Sequence, residues 1–278
     1  MKKTLLFVLL LFVIGAFLGW ARFISTKGLR IKEYAFINTN LPEQFVGKKI
    51  VHFSDLHYGS TIFEKELINL VDTINDQKPD LIIFTGDLVA ENYTMNEKER
   101  LIIIKELSRL DATIGKYAVK GNHDYEQKNF ENMMEQSNFI LLKNNFEYIY
   151  FENETPMIIA GLSSLLKEKQ DLSQTFSFLE KEEEKRCFTL VIVHEPDTLK
   201  AIRKYDVDLM LSGHSHGGQV RFPFLKALIT QKGAKIYNEE QYLVDETNLY
   251  VSSGIGTSIF KIRFLNKPSI NLFRLYNK

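Results

Sequence analysis

Behind Lys2 and Lys3 the chain is almost uninterruptedly apolar from Leu5 to Ala21. As a helix, residues 4–21 would be roughly 27 Å long, enough to cross a hydrocarbon core. Trp20 falls where an interfacial aromatic belongs. The pattern predicts an uncleaved membrane anchor over residues 1–23. A signal peptide cut after Gly19-Trp20-Ala21 is the competing reading. Residues 24–45 then read as a juxtamembrane connector, with the alternating stretch 30–36 as an edge strand. Residues 46–278 form the main domain.

Within that domain the apolar pattern changes period repeatedly. Residues 49–54 read as the first core strand. Residues 64–77 have apolar positions at helical spacing and close at Pro79. Leu81-Ile82-Ile83-Phe84 is a continuous apolar strand, as in a sheet covered on both faces. Residues 97–110 predict a helix with Leu101, Ile104 and Leu107 on one face. Residues 116–120 predict a strand and 129–137 a helix. From 139 to 162 the pattern is hairpin-like, turning through Asn153-Glu154. A helix over 172–185 ends in the charge run 180–186, read as a solvated face. Residues 188–193 form a buried strand, 198–205 a short helix, and 209–211 another buried strand. Residues 249–253 and 269–275 close the domain. Helices alternating with strands, then strands dominating, predict a layered α/β architecture with sheet packed on sheet.

Composition narrows the function. The chain has 278 residues, 45% hydrophobic, with 35 basic and 35 acidic side chains. Zero net charge argues against a nucleic-acid-binding surface. The single cysteine, Cys187, allows no intrachain disulfide and reads as an inert packed thiol.

The chemistry lies where predicted strands end. Asp55 and His57 follow the first strand, and Asp87 follows the second. Asn122 and His123 follow the third, and His194 follows the strand at 188–193. His214 and His216 sit in Gly213-His214-Ser215-His216-Gly217-Gly218-Gln219, where glycines let the backbone turn sharply. Of the six histidines only His52 lies outside these loops, inside a strand, and it reads as structural. Oxygen and nitrogen donors without thiolate suit manganese, iron, zinc or magnesium. The set is large enough for two divalent ions sharing Asp87. Two ions roughly 3.5–4 Å apart form a clamp for in-line displacement at phosphorus.

Taken in order, Asp55-x-His57, Gly86-Asp87, Gly121-Asn122-His123-Asp124, His194 and Gly213-His214-x-His216 resemble the calcineurin-like metallophosphoesterases over residues 48 to about 265. Gly217-Gly218-Gln219-Val220-Arg221 and the stretch 249–256 are similar to a subgroup of bacterial, often membrane-anchored members. Some of these hydrolyse the pyrophosphate bond of UDP-diacylglucosamine, and others act on generic phosphodiesters.

The resemblance implies a four-layer α-β-β-α sandwich of the metallo-dependent phosphatase type, preceded by the transmembrane helix. It assigns one metal to Asp55, His57, Asp87 and His216, and the other to Asp87, Asn122, His194 and His214. Manganese is expected first, with iron, zinc or magnesium as alternatives. It further implies attack on phosphorus by a hydroxide bridging the ions. His123, not itself a ligand, would protonate the leaving oxygen or stabilise its charge.

Two departures matter. The protein-phosphatase branch carries an acid and then an arginine three and four residues after the bridging aspartate. Here those positions are Ala90 and Glu91, which argues against a phosphoprotein substrate. Asp124 is expected to orient its loop. The subgroup's closing Arg-Pro-Glu is replaced by Lys267-Pro268-Ser269.

The expectation is therefore a membrane-anchored phosphoric ester hydrolase acting on phosphodiester or pyrophosphate bonds, with a lipid-linked or envelope substrate. A soluble-substrate phosphomonoesterase and a non-catalytic metal-binding scaffold are the alternatives. No nucleic-acid partner is expected. Lys2 and Lys3 favour an inside N-terminus, while Arg22, Lys27, Arg30 and Lys32 pull the other way. An extracytoplasmic catalytic domain is the expected placement. The aromatic segment 221–229 is expected either to touch lipid or to pack as a lid.

Overall fold

The apolar runs singled out as strands are strands, and a computed structural model places them in two facing sheets. It describes residues 2–152, 155–180, 186–222, 227 and 230–278. Among these, the first sheet contains β1 (Arg30–Ile37), β2 (Lys49–Phe53), β3 (Leu81–Phe84), β4 (Gly115–Ala118), β5 (Ile140–Leu141) and β12 (Ser269–Tyr276). The second contains β6 (Asn145–Ile149), β7 (Met157–Gly161), β8 (Thr189–Ile192), β9 (Leu209–Ser212), β10 (Gln241–Val244) and β11 (Thr247–Val251). Strand order is β1-β12-β2-β3-β4-β5 in one and β10-β11-β9-β8-β7-β6 in the other.

Alternation along each strand sorts side chains between an inner seam and an outer face. Ile50, Ile83 and Tyr117 from the first sheet meet Ile159, Leu190 and Leu211 from the second. On the outer face of the first sheet, Val51, Phe53, Ile82 and Phe84 are covered by three helices: α2 (Glu64–Asp76), α3 (Glu97–Ser108) and α4 (Phe130–Gln136). On the outer face of the second, Ile158, Val191 and Met210 are covered by α5 (Leu172–Thr175), the turn after it, and α6 (Leu199–Ile202). The result is the expected α-β-β-α sandwich. Each fully buried aliphatic or aromatic side chain is worth about 1.5–3 kcal/mol.

β2, β3, β4 and β5 run parallel to one another, as do β7, β8 and β9. Their carboxyl ends therefore deliver their loops to one edge of the molecule, where α/β sheets build sites.

Several local expectations change. On α3 the buried face is Ile103, Glu106 and Leu107, while Leu101 is exposed. Two residues before Ile103, it lies roughly 200° around the helix. The hairpin region divides: β5 joins the first sheet beside β4, and only β6 and β7 pair as a hairpin in the second. The helix over 172–185 is a single α turn followed by a 3-10 turn at Ser177–Glu180, and residues 181–185 lie outside the described residues. The helix over 198–205 is shorter, with a 3-10 turn at Pro196–Thr198 preceding α6. β10 was not foreseen. It is a short edge strand folded onto β11 through Asp245-Glu246, which carry no Asn-Gly or Asp-Gly turn signature.

The N-terminal helix, α1 (Lys2–Phe23), has 22 residues, and an 18-residue stretch of it has a mean hydropathy of 2.5. Ala21 is buried, whereas its apolar side chains from Leu5 to Ile14 are exposed. By length and composition it is a candidate membrane anchor. β1 pairs along its whole length, parallel to β12, at the sheet edge foreseen for it. Of the aromatic segment 221–229, residues 223–226 and 228–229 lie outside the described residues, as do Asn153 and Glu154.

Candidate metal centre

Five of the site side chains are held by backbone that L-residues seldom adopt. Asp55, His57, Asp87, His214 and His216 all have φ between 45° and 66°. Such residues cost of order 1–3 kcal/mol each and cluster at functional sites. The adjoining glycines make the geometry possible. A Cβ on Gly86 would fall 2.1 Å from the Gly121 nitrogen, and one on Gly213 would fall 1.9 Å from Ser54 Oγ. The two loops of each pair can therefore approach only because these positions carry no side chain.

Two buried groups emerge. Asp55, His57 and His216 offer one ligand atom each, all mutually within 4.8 Å, and Asp87, His194 and His214 do the same. His57 Nε2 lies 3.1 Å from His216 Nε2, and His214 Nδ1 lies 3.2 Å from His194 Nε2. Asp87 Oδ2 joins the groups: it is 3.2 Å from His194 Nε2, 3.7 Å from His57 Nε2 and 3.8 Å from His123 Nε2. Asp55 Oδ1 faces His216 Nε2 at 3.4 Å. Asn122 Oδ1 is buried beside them with no hydrogen-bond partner among the described residues. A native fold rarely leaves such an acceptor unpaired. Together, the orphaned oxygen, the converging imidazole nitrogens and the two carboxylates fit a pair of divalent cations with oxygen and nitrogen ligands.

Charge follows burial. Burial holds His57 and His214 down to about 4 and pulls His216 well below the usual histidine range, so these rings are neutral and have lone pairs to offer. Burial pushes Asp55 up to about 6. For Asp87, burial is outweighed by His194, His57 and His123, and its carboxyl stays well below the usual range. His194 shows the complement: burial opposes its charge, but the Asp87 carboxylate outweighs burial and raises it well above the usual histidine range.

Supporting residues set the loops. Asp124 accepts backbone N–H bonds from Asp87, Leu88 and Gly121 at 2.8 Å each, the loop-orienting role foreseen for it. The N–H of His123 donates to Asp87 Oδ1 at 3.0 Å. His194 Nδ1 bonds the Thr85 carbonyl at 2.6 Å, leaving Nε2 for the centre. The Thr85 hydroxyl also meets His52 Nε2 at 2.9 Å, so His52 is structural, as foreseen.

Three supports escaped the sequence. Buried Glu195 accepts from Ser164 Oγ and the Leu165 N–H. Asp197 gathers the N–H groups of residues 235, 236 and 237. Acids directly after a candidate ligand were their one available signal. The third, Arg263, is completely buried, and its guanidinium donates to the carbonyls of Ser253, Gly254, Gly256 and Asn266. Nothing local in its sequence marks it as buried.

Above the centre opens a cleft of about 180 Å³. His57, His123, Glu91, Asn92, Tyr93 and Lys261 are among its lining residues. Ala90 and Glu91 thus stand at the cleft, where the protein-phosphatase branch carries its acid and arginine. His123 keeps part of its ring open to solvent, unlike the fully enclosed His57, His194 and His216.

The calcineurin-like phosphoesterase family model matches residues 48–218. The uncharacterised metallophosphoesterase YkuE of Bacillus subtilis is 34% identical over 264 residues, covering 94% of this chain and 90% of that one. The UDP-2,3-diacylglucosamine pyrophosphatase LpxG of Chlamydia trachomatis is 29% identical over 308 residues, covering 92% of each chain. Among solved structures, the calcineurin-like phosphoesterase YfkN of Bacillus subtilis overlays with a TM-score of 0.45 at 14% identity, covering 75% of this chain and 81% of that one. With its family model matched over both halves of the candidate metal centre, the chain belongs to the calcineurin-like phosphoesterases and is a phosphoric ester hydrolase.

Proposed function

We propose that this chain is a membrane-anchored phosphoesterase that cleaves phosphodiester or pyrophosphate bonds in a lipid-linked substrate. The observation that carries the reading is Asp87 Oδ2, set among the Nε2 atoms of His57, His194 and His123 at the floor of an open cleft. Asp55, His57, Asp87 and His216 would hold one ion, and Asp87, Asn122, His194 and His214 the other. Manganese is the first expectation. When bound, the ions would polarise the phosphoryl oxygens and bring a water's pKa towards neutrality.

The remaining work falls to the chain. Asn92 and Lys261 bind and orient the phosphoryl group in the cleft. His123, anchored through its backbone N–H to Asp87, gives its proton to the departing oxygen. Asp124 and Glu195 keep the loops from relaxing. The packing of Phe17 and Trp20 on Phe264 and the hydrogen bond from the Arg263 N–H to the Ala21 carbonyl support the anchor over a cleaved signal. LpxG carries a lipid-linked pyrophosphatase activity in its name, which supports a substrate of that class here. An extracytoplasmic catalytic domain is part of the proposal.

The test uses the full-length chain in detergent micelles, loaded with manganese. Turnover of a bis-aryl phosphodiester, an aryl monoester and UDP-2,3-diacylglucosamine is compared for wild type and His123→Ala. Diester and lipid pyrophosphate turnover should fall about 10²–10⁴-fold in the variant while metal content is unchanged. Turnover of the monoester alone would overturn the reading.

A further inference from the structure

One wall of the cleft is polar inside and apolar outside. Ser258, Ile259 and Lys261 line the cleft together with His57 and His123. On the outer side, Phe260 and Leu265 are each more than half exposed, Phe222 beside Phe264 is also exposed, and Ile259 lines the cleft while staying open to solvent. Leu265 is unusual twice over. It is an exposed leucine, and its φ is +49°. Neither packing nor backbone preference asks for leucine there, since a left-handed residue favours Gly, Asn or Asp.

This wall grows directly from the metal motif. Gln219 Nε2 donates to the Phe260 carbonyl, and Gln219 Oε1 accepts from the Ser258 N–H. The Phe264 N–H donates to the Gln219 carbonyl. The same wall holds the end of α1. The Phe264 ring meets Phe17 at 5.0 Å and Trp20 at 5.6 Å, and the Arg263 N–H donates to the Ala21 carbonyl at 3.1 Å.

We infer that residues 258–265, with Phe222, lie in the headgroup–acyl boundary of a phospholipid bilayer and set the mouth of the cleft against the membrane surface. The inference rests on reading α1 as an anchor. Phe17 lies six residues before the end of α1, about 9 Å along the axis. A segment packed against it sits at the depth of an interfacial element, about 5–10 Å into the boundary. Phe23 and Ile24, which follow the α1 residues that Phe264 and Arg263 touch, are exposed apolar side chains as well. One apolar solvent then covers both surfaces, so no separate protein partner is needed. Arg22 and Lys27, where the chain leaves the helix, would meet lipid phosphates. An acyl-anchored substrate would reach His123 without leaving the bilayer.

The test reconstitutes the full-length chain, carrying Cys187→Ser and Phe260→Cys with an environment-sensitive fluorophore, into phosphatidylcholine–phosphatidylglycerol vesicles. The control carries the label through Tyr150→Cys. Its neighbour Phe151 packs by Phe45 and Lys48, at the opposite end of the strands from the metal loops. The label at 260 should shift to the blue and be quenched by nitroxide lipids, and the label at 150 should not. Adding Leu265→Asp should abolish most of the quenching at 260 without unfolding the chain, because aspartate suits the left-handed backbone. Equal, weak quenching at both positions would overturn the inference. A chain that leaves the vesicles would overturn the anchor and the docking together. Quenching at 260 without lipid pyrophosphate turnover would sink the proposed substrate and sustain the docking. The converse would sink the docking alone.

Discussion

The metal loops and the 258–265 wall invert each other's burial. Asp55, His57, Asp87, His194 and His216 are polar and shut away from water. Ile259, Phe260 and Leu265 are apolar and exposed. Both regions hold non-glycine residues at positive φ. Ordinary folding would reverse these choices: burying carboxylates and imidazoles costs several kcal/mol unless they are paired, and exposed leucine forgoes about 1.5–3 kcal/mol of burial. The difference teaches what each surface is built to meet. The loops gather donors that could hold cations, and the wall is the surface inferred above to meet the bilayer. Arg263 lies between them, its backbone tied to α1 and its guanidinium to the carbonyls behind Asp55 and His216.

Breaking the inner side should have the largest effect. Asp87→Ala removes the oxygen shared by both groups. Its activity loss should exceed the roughly 10⁴-fold ceiling of a missing general acid, and elemental analysis should show metal lost from both groups. Unchanged stoichiometry would remove Asp87 from the shared position.

Arg263→Met strikes the connection. It strands buried carbonyls at residues 253, 256 and 266, and should cost about 3 kcal/mol or more in denaturant unfolding. A loss below about 1 kcal/mol would mean that those carbonyls find water instead.

A smaller effect comes from His52. Its folded ring, buried beside Thr85, resists protonation until about pH 3, whereas the unfolded ring takes a proton near 6.5. The unfolded state therefore binds more protons between these values, and stability falls as pH drops through that window. The contribution is about 2 kcal/mol at pH 5. In His52→Gln, unfolding free energy should lose less between neutral pH and pH 5 by that amount. An unchanged pH slope would place the acid sensitivity elsewhere.

Smallest of all, Leu265→Asn should leave the detergent-solubilised chain as stable or more stable, by up to about 1 kcal/mol, because it relieves the left-handed backbone. A clear loss of melting temperature would show that Leu265 serves packing, and the contrast between the two regions would weaken.

Much of this was legible because it is local. The apolar runs at 81–84, 188–193 and 209–211 are buried on both faces, so they admit little but core strands. Ligand types at strand ends identify themselves by residue type and glycine spacing, and the two buried groups use histidines and aspartates named from the sequence. What was not legible depends on partners far along the chain. Leu101 points outward because the register of α3 is set by packing on the sheet, and periodicity alone tolerates several faces. β10 pairs at an edge, where alternation is weak and burial partial.

The sequence by itself determined the layered α/β class, the apolar N-terminal span and the donors available to two ions, since each follows from periodicity or side-chain chemistry. The division of those donors into two groups around Asp87 came from the family resemblance, and only the tertiary structure gives the distances within each group. Only it revealed that Arg263 is buried and that residues 258–265 stand between the cleft and the end of α1. Those facts are distances between residues tens to hundreds of positions apart, and no local preference encodes them.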